Sequence, residues 1–197
     1  MSAGMERGFS HRVVSDVGVR ERSIPAEESN VYNHGRGKLG CREAVLTGTQ
    51  LGTYGFDLPG IDLVGLLQQV LVETNINRLR ISSLQAQEIT PDLLGLWDDS
   101  RLCPHFHIPL QSGSDTILKS MRRRYNTDQF KGTVELVRKT IPDAGITTDI
   151  IVGFPNEGVK EFAESYSFAA SKHFSEITLF PYSLRPGPSA ASIDHHV

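Results

Sequence analysis

Five apolar runs in this 197-residue sequence each end in a cluster of small, hydroxyl- or amide-bearing residues. They are Thr47-Gly48-Thr49-Gln50, Ser82-Ser83-Leu84-Gln85, Gln111-Ser112-Gly113, Gly153-Phe154-Pro155-Asn156-Glu157 and Ser183-Leu184-Arg185-Pro186-Gly187. Groups of this kind hold polar ligands by hydrogen bonds, and free N–H groups at the start of a following helix suit anions. One such cluster is an ordinary glycine turn with a helix-capping serine. Five of them, all at the same end of successive strands, point to a ligand site.

Other residues admit more than one chemistry. Asp149 falls inside the apolar run TTDIIVG, where a carboxylate is costly unless paired or turned toward a polar interior. His105 and His107 share a strand face, but no third ligand is near in sequence, so packing or hydrogen bonding is expected there rather than metal. Ser114 or Asp115 is expected to cap the helix that follows. Arg122-Arg123-Arg124 reads either as a phosphate grip or as a solvated helix end that complements the helix dipole. Use of Asp149 and Glu157 as an acid–base pair is the weakest reading, since neither has a visible partner to tune its pKa.

Strands are expected at 42–48, 78–83, 105–110, 146–153 and 176–183. Between them, three sets fall on helical faces: Leu63, Leu66, Leu67, Val70 and Leu71; Phe130, Val134, Val137 and Ile141; Val159, Phe162, Tyr166 and Ala169. Crossovers of this length exclude hairpins, which predicts a mainly parallel sheet with helices outside it. The expected organisation is a poorly packed lead-in over residues 1–40 with one short helix after Pro25, a core over 41–185 and a loop-like tail over 186–197. His195 and His196 are expected to be chain-end residues of no special role.

A net charge of -3 gives no global attraction to nucleic acid, so any such contact must be local. The chain has two cysteines, Cys41 and Cys103, far apart and outside any CxxC pattern, which predicts a reducing setting without a disulfide framework and no metal site within the chain. No apolar run reaches the ~18 residues of a membrane helix, and a cytoplasmic protein with no membrane partner is expected.

In order along the chain, LTGTQLGTYG (46–55), LRISSLQAQEIT (79–90), HFHIPLQSGSD (105–115), MRRRY (121–125), TTDIIVGFPNE (147–157) and FPYSLRPGPSAA (180–191) resemble the radical-SAM tRNA methylthiotransferases, most of all the threonylcarbamoyladenosine branch. The resemblance implies an α/β fold, a partial (β/α)6 TIM-like barrel here lacking most of its first β/α unit. It also implies S-adenosylmethionine (SAM) and a [4Fe-4S] cluster as cofactors and a tRNA anticodon stem-loop as partner. By motif, Thr47, Gly48, Thr49 and Gln50 would hold the methionine amino end. Ser82, Gln111, Ser112 and Gly113 would line the cofactor together with Asp149, and Gly153 and Phe154 would pack near the adenine.

One part of the pattern fails. The family's CxxxCxxC triplet precedes an RERS segment, present here as Arg20 to Ser23, and counting back places the ligand positions at about Met5, Phe9 and Arg12. None is a thiolate donor. Cys41 and Cys103 precede strands, at the edge opposite the ligand-binding end, and do not replace them. Asn156 stands where the family usually has glycine, a small departure because Asn tolerates positive φ. The expected function is therefore a methylthiotransferase core, truncated and inactive alone, without the family's tRNA-binding domain; the alternative is a SAM- or tRNA-binding pseudoenzyme.

Overall fold

A computed structural model describes residues 22–25 and 42–183. The expectations for most of the lead-in, for Cys41, for the helix after Pro25 and for the tail with His195 and His196 lie outside the described residues, as do both expected core boundaries. All five predicted strands are present: β1 (Glu43–Leu46), β2 (Arg78–Ile81), β3 (His105–His107), β4 (Gly145–Val152) and β5 (Glu176–Pro181). The helices are α1 (Leu63–Glu73), α2 (Pro91–Leu94), α3 (Asp115–Ser120), α4 (Thr127–Thr140) and α5 (Val159–Ser171). The chain divides into two compact units, one made of Glu21–His107 with Glu135–Gly145, the other including Ile108–Val134 and the segment from Ile146 onward.

In the first unit β1 and β2 run parallel, with Glu43 opposite Arg78 and Leu46 opposite Ile81. Leu79 and Ile81 are buried while Arg78 and Arg80 alternate to the other face, where Glu43 pairs with them at 3.0 and 3.4 Å. His105 Nδ1 lies 3.4 Å from Arg80, which accounts for it by hydrogen bonding. Helix α1 forms because Leu63, Leu66, Leu67 and Val70 recur at helical spacing and all are buried. Each contributes ~1.5–3 kcal/mol relative to exposure. Asp62 caps its start by accepting from Gly65 N–H at 2.8 Å. Its end is closed by Arg101, which donates to the carbonyls of Leu71 (2.7 Å) and Thr74 (3.0 Å) while bound to Asp99. Cys103 is buried, and its carbonyl accepts from Trp97 Nε1, whose ring stacks on Phe106 at 4.6 Å.

In the second unit β4 and β5 are parallel, Thr147 to Val152 facing Glu176 to Pro181. The segment following His107 runs along β4: Ile108 N–H donates to Thr147 O and Gln111 N–H to Asp149 O. Phe130, fully buried, has the rings of Tyr125, Phe168 and Phe174 around it at 5.9, 6.1 and 6.2 Å. Every residue of β5 is exposed, including Ile177, Leu179 and Phe180, and among the described residues it pairs with β4 alone.

Two local expectations are corrected. The predicted buried face of α5 is used only in part: Ala169 is buried as expected, but Val159, Phe162 and Tyr166 are 89%, 50% and 70% exposed, and Ser165 is turned inward instead. The helix is rotated from its apolar stripe by about one residue, roughly 100°. In this orientation Ser165 Oγ accepts from Gly113 N–H and meets Ser112 Oγ, both at 3.0 Å. Nor does either predicted side-chain cap serve α3. The Ser114 hydroxyl donates to Glu164, and the Asp115 carboxylate instead accepts from Thr127 N–H at the start of α4.

Candidate functional site

Each unit carries polar loops at strand carboxyl ends, and each set has its own geometry. In the first unit Thr47, Gly48 and Thr49 are exposed beyond β1, and Gln50 is half-buried. A Cβ at Gly48 would meet only the Leu51 backbone, at 3.9 Å, so the backbone there lies open to a ligand. Gln50 O accepts from both the N–H and the hydroxyl of Thr53 (3.2 and 2.9 Å), which fixes the turn. Ser82 continues the parallel ladder through its N–H to Leu46 O, yet its Oγ is buried and has no hydrogen-bond partner among the described residues. Glu88 stabilises the next loop by accepting from Gln85 N–H at 2.8 Å, and its carboxylate packs where a side chain on Gly52 would stand. Ser23 is tied onto the same region: its N–H donates to the Asp57 carboxylate, its Oγ accepts from Gly55 N–H, and Tyr54 Oη donates to Ile24 O.

In the second unit the loop after 108–110 is a support rather than an open wall. Ser112 and Ser114 are 0% and 1% exposed, and their hydroxyls are bound to Ser165 and Glu164 of α5. A Cβ on Gly113 would stand 2.7 Å from Ser165 Cα and 2.8 Å from Phe168 Cβ, so glycine is required for this approach. Ser112 and Gly113 therefore face the helix, and Gln111, held at φ 67, is the turning point between strand and loop. Tyr125 locks the same turn from below, its hydroxyl shared between Pro109 O (2.7 Å) and Leu110 O (3.0 Å). Burial pushes the Tyr125 pKa up to about 12, so the phenol stays a donor.

Asp149 lies on the half-exposed face of β4, alternating with buried Thr148 and Ile150. Beyond β4, Gly153 (φ 73) and Asn156 (φ 68) bracket a tight loop that buries Phe154 against Tyr182, ring centroids 5.3 Å apart. Space beside Gly153 is open to 4 Å. Glu157 closes the loop by accepting from Gly153 N–H; its other carboxylate oxygen is buried without a partner. Desolvation raises the Glu157 pKa, partly offset by the N–H groups of Gly153 and Phe154. Because the folded-state pKa lies above the unfolded one, Glu157 loses stabilisation as pH rises above about 4.5. Glu157→Gln is expected to flatten the fall of unfolding free energy between acid and neutral pH, measured by urea denaturation across that range.

Sequence reasoning missed Ser165, Glu164 and Tyr125 as loop-holding residues. A usable signal was present for Ser165: a hydroxyl one position off an apolar helical stripe.

With this geometry in hand, comparison with known proteins places the chain. The sequence profile of the Radical SAM superfamily matches residues 36–169. The chain belongs to the radical SAM superfamily. It is 41% identical over 160 residues to the threonylcarbamoyladenosine tRNA methylthiotransferase MtaB of Bacillus subtilis, a match covering 80% of this chain and 36% of that protein. It is 42% identical over 161 residues to the tRNA-2-methylthio-N(6)-dimethylallyladenosine synthase of Frankia casuarinae, covering 80% and 30%. The chain thus spans 36% and 30% of the length of these two curated relatives. Among solved structures, the radical S-adenosylmethionine methyltransferase TsrM from Kitasatospora setae superposes with a TM-score of 0.75 at 13% identity, over 93% of this chain and 36% of that one. The α/β architecture with parallel strands is that of the partial TIM-like radical SAM fold.

SAM and a [4Fe-4S] cluster are the cofactors of this superfamily, and the residues present suit them unequally. Within the first unit, the buried Ser82 hydroxyl, partnerless among the described residues, and the backbone at Gly48 suit a polar ligand. The cluster is not matched: the sequence offers two separated cysteines, and among the described residues no three His, Cys, Asp or Glu side chains are grouped to share a metal ion. No helix among the described residues is long and apolar enough to cross a membrane.

Proposed function

We propose that this chain is the SAM-binding core of a tRNA methylthiotransferase of the threonylcarbamoyladenosine type, unable on its own to cleave SAM. The observation carrying this reading is the 41% identity over 160 residues to a protein named for that reaction. In this reading Thr47 to Gln50 hold the amino-acid end of the cofactor, and Ser82 and Gln111 contact it directly. Ser112 and Gly113 act through the loop they anchor to α5, and Asp149, Gly153 and Phe154 shape the nucleoside side. The core spans 41–185, with the tRNA anticodon stem-loop as its partner. The missing thiolates support the second half of the proposal, a chain that binds cofactor or RNA without radical chemistry.

Titration calorimetry with SAM and with S-adenosylhomocysteine tests the binding half. Saturable heat and a ligand-dependent rise in melting temperature are expected for both ligands, since the protein's own hydrogen bonds to the cofactor remain even without the iron that would chelate its amino and carboxyl groups. Absence of heat and of any thermal shift at high ligand concentration would remove SAM from the proposal.

A further inference from the structure

The arginine run at 122–124 is presented in a way that a merely solvated helix end does not need. It spans the gap between two buried anchors: Met121 is fully buried, and Tyr125 is 5% exposed with its hydroxyl on Pro109 O and Leu110 O. Those carbonyls lead directly into Gln111, so the run is held at a fixed place beside the candidate cofactor loop. Lys119, Arg122 and Arg124 are exposed, and residues 119–124 contain four cationic side chains and no acidic one, in a chain whose net charge is -3.

Arg122 also occupies a left-handed position, φ 58, closing α3 as a glycine ordinarily would: its N–H donates to Lys119 O and the Arg123 N–H to Leu118 O. The turn therefore accepts backbone strain while keeping a long cation at its tip. Two exposed acids flank the run, Asp115 four residues before Lys119, where it accepts from Thr127 N–H, and Asp128 at the second position of α4; against four cations they leave the stretch net positive.

We infer that Lys119, Arg122 and Arg124 form a phosphate-contacting surface for the RNA strand that delivers its base to the cofactor loop. The inference rests on the tRNA reading above and adds to it the surface that would be used. Guanidinium groups suit phosphate oxygens through paired N–H donors, and a rigid turn lowers the ordering cost of binding. Such contacts position the strand without reading its sequence.

The test is binding of the chain to an anticodon stem-loop RNA, followed by fluorescence anisotropy over a range of salt, for wild type, Lys119→Gln/Arg122→Gln and Lys119→Glu/Arg122→Glu. The neutral pair is expected to weaken binding roughly tenfold and to make the log K versus log salt slope shallower by ~1–2, with the charge-reversed pair weaker still. SAM calorimetry on the same variants is expected to match wild type, which also reports that they fold. Unchanged RNA affinity and slope in both variants would overturn the surface while leaving the tRNA reading intact. Failure of the wild-type chain to bind the RNA would overturn both. Parallel loss of binding to phosphatidylserine vesicles, with RNA binding retained, would reassign the patch to a lipid surface and overturn the inference.

Discussion

Anaerobic reconstitution with iron and sulfide is expected to leave this chain without a stable four-iron cluster and without 5′-deoxyadenosine formation from SAM. The physical reason is donor chemistry. A radical SAM cluster is held by three thiolates at fixed spacing, leaving one iron for the methionine amino and carboxyl groups. The positions that correspond by resemblance are Met5, Phe9 and Arg12, of which a thioether is a weak ligand, a phenyl ring none, and a guanidinium a cation that repels iron. Cys103 cannot stand in, because it is buried on the amino-terminal side of β3. Iron counting and chromatography of the reaction mixture read the result. About four irons per chain together with deoxyadenosine would show that donors outside the expected triplet suffice. The triple substitution Met5→Cys, Phe9→Cys and Arg12→Cys is expected to gain iron under the same conditions.

Gly113→Ala is expected to be among the most destabilising single methyl additions at the candidate site. The added carbon would fall 2.7 Å from the backbone of Ser165 and 2.8 Å from Phe168 Cβ, neither of which is the yielding tip of a flexible chain. The loop would have to lift from α5, breaking the Gly113 N–H bond to Ser165 and opening the buried Ser112–Ser165 pair. Overpacking of this kind costs ~1–3 kcal/mol, and the stranded buried polar groups add ~1–3 kcal/mol. Urea denaturation at constant pH measures the loss. A variant within ~0.5 kcal/mol of wild type would mean that the loop and helix separate more easily than their contacts indicate.

The parallel α/β plan was legible because its signals are periodic. The run RLRI shows alternation directly, and its two apolar members are the buried ones. Helix α1 was equally readable, since leucines at 63, 66 and 67 leave one dominant face. Helix α5 was read only in part: Ala169 of its apolar stripe is buried, but Val159, Phe162 and Tyr166 are not, and the inward place is taken by Ser165 with its bonds to Ser112 and Gly113. Periodicity registers area; it does not register a hydroxyl with a specific partner 53 residues away. The same limit hid Tyr125, whose role depends on carbonyls brought near only by the fold, and the reassignment of Asp115 from its own helix to the next one. The site loops themselves were visible as composition. Their division of labour, with Thr47 to Thr49 exposed and Ser112 turned inward, required three dimensions.

Strand β5 has a practical consequence for anyone handling this protein. All six of its residues, Leu179 and Phe180 among them, are accessible, and among the described residues it pairs along one side only. A further strand, from this chain or from a second copy, can extend the ladder there, and two copies meeting edge to edge would close into a dimer.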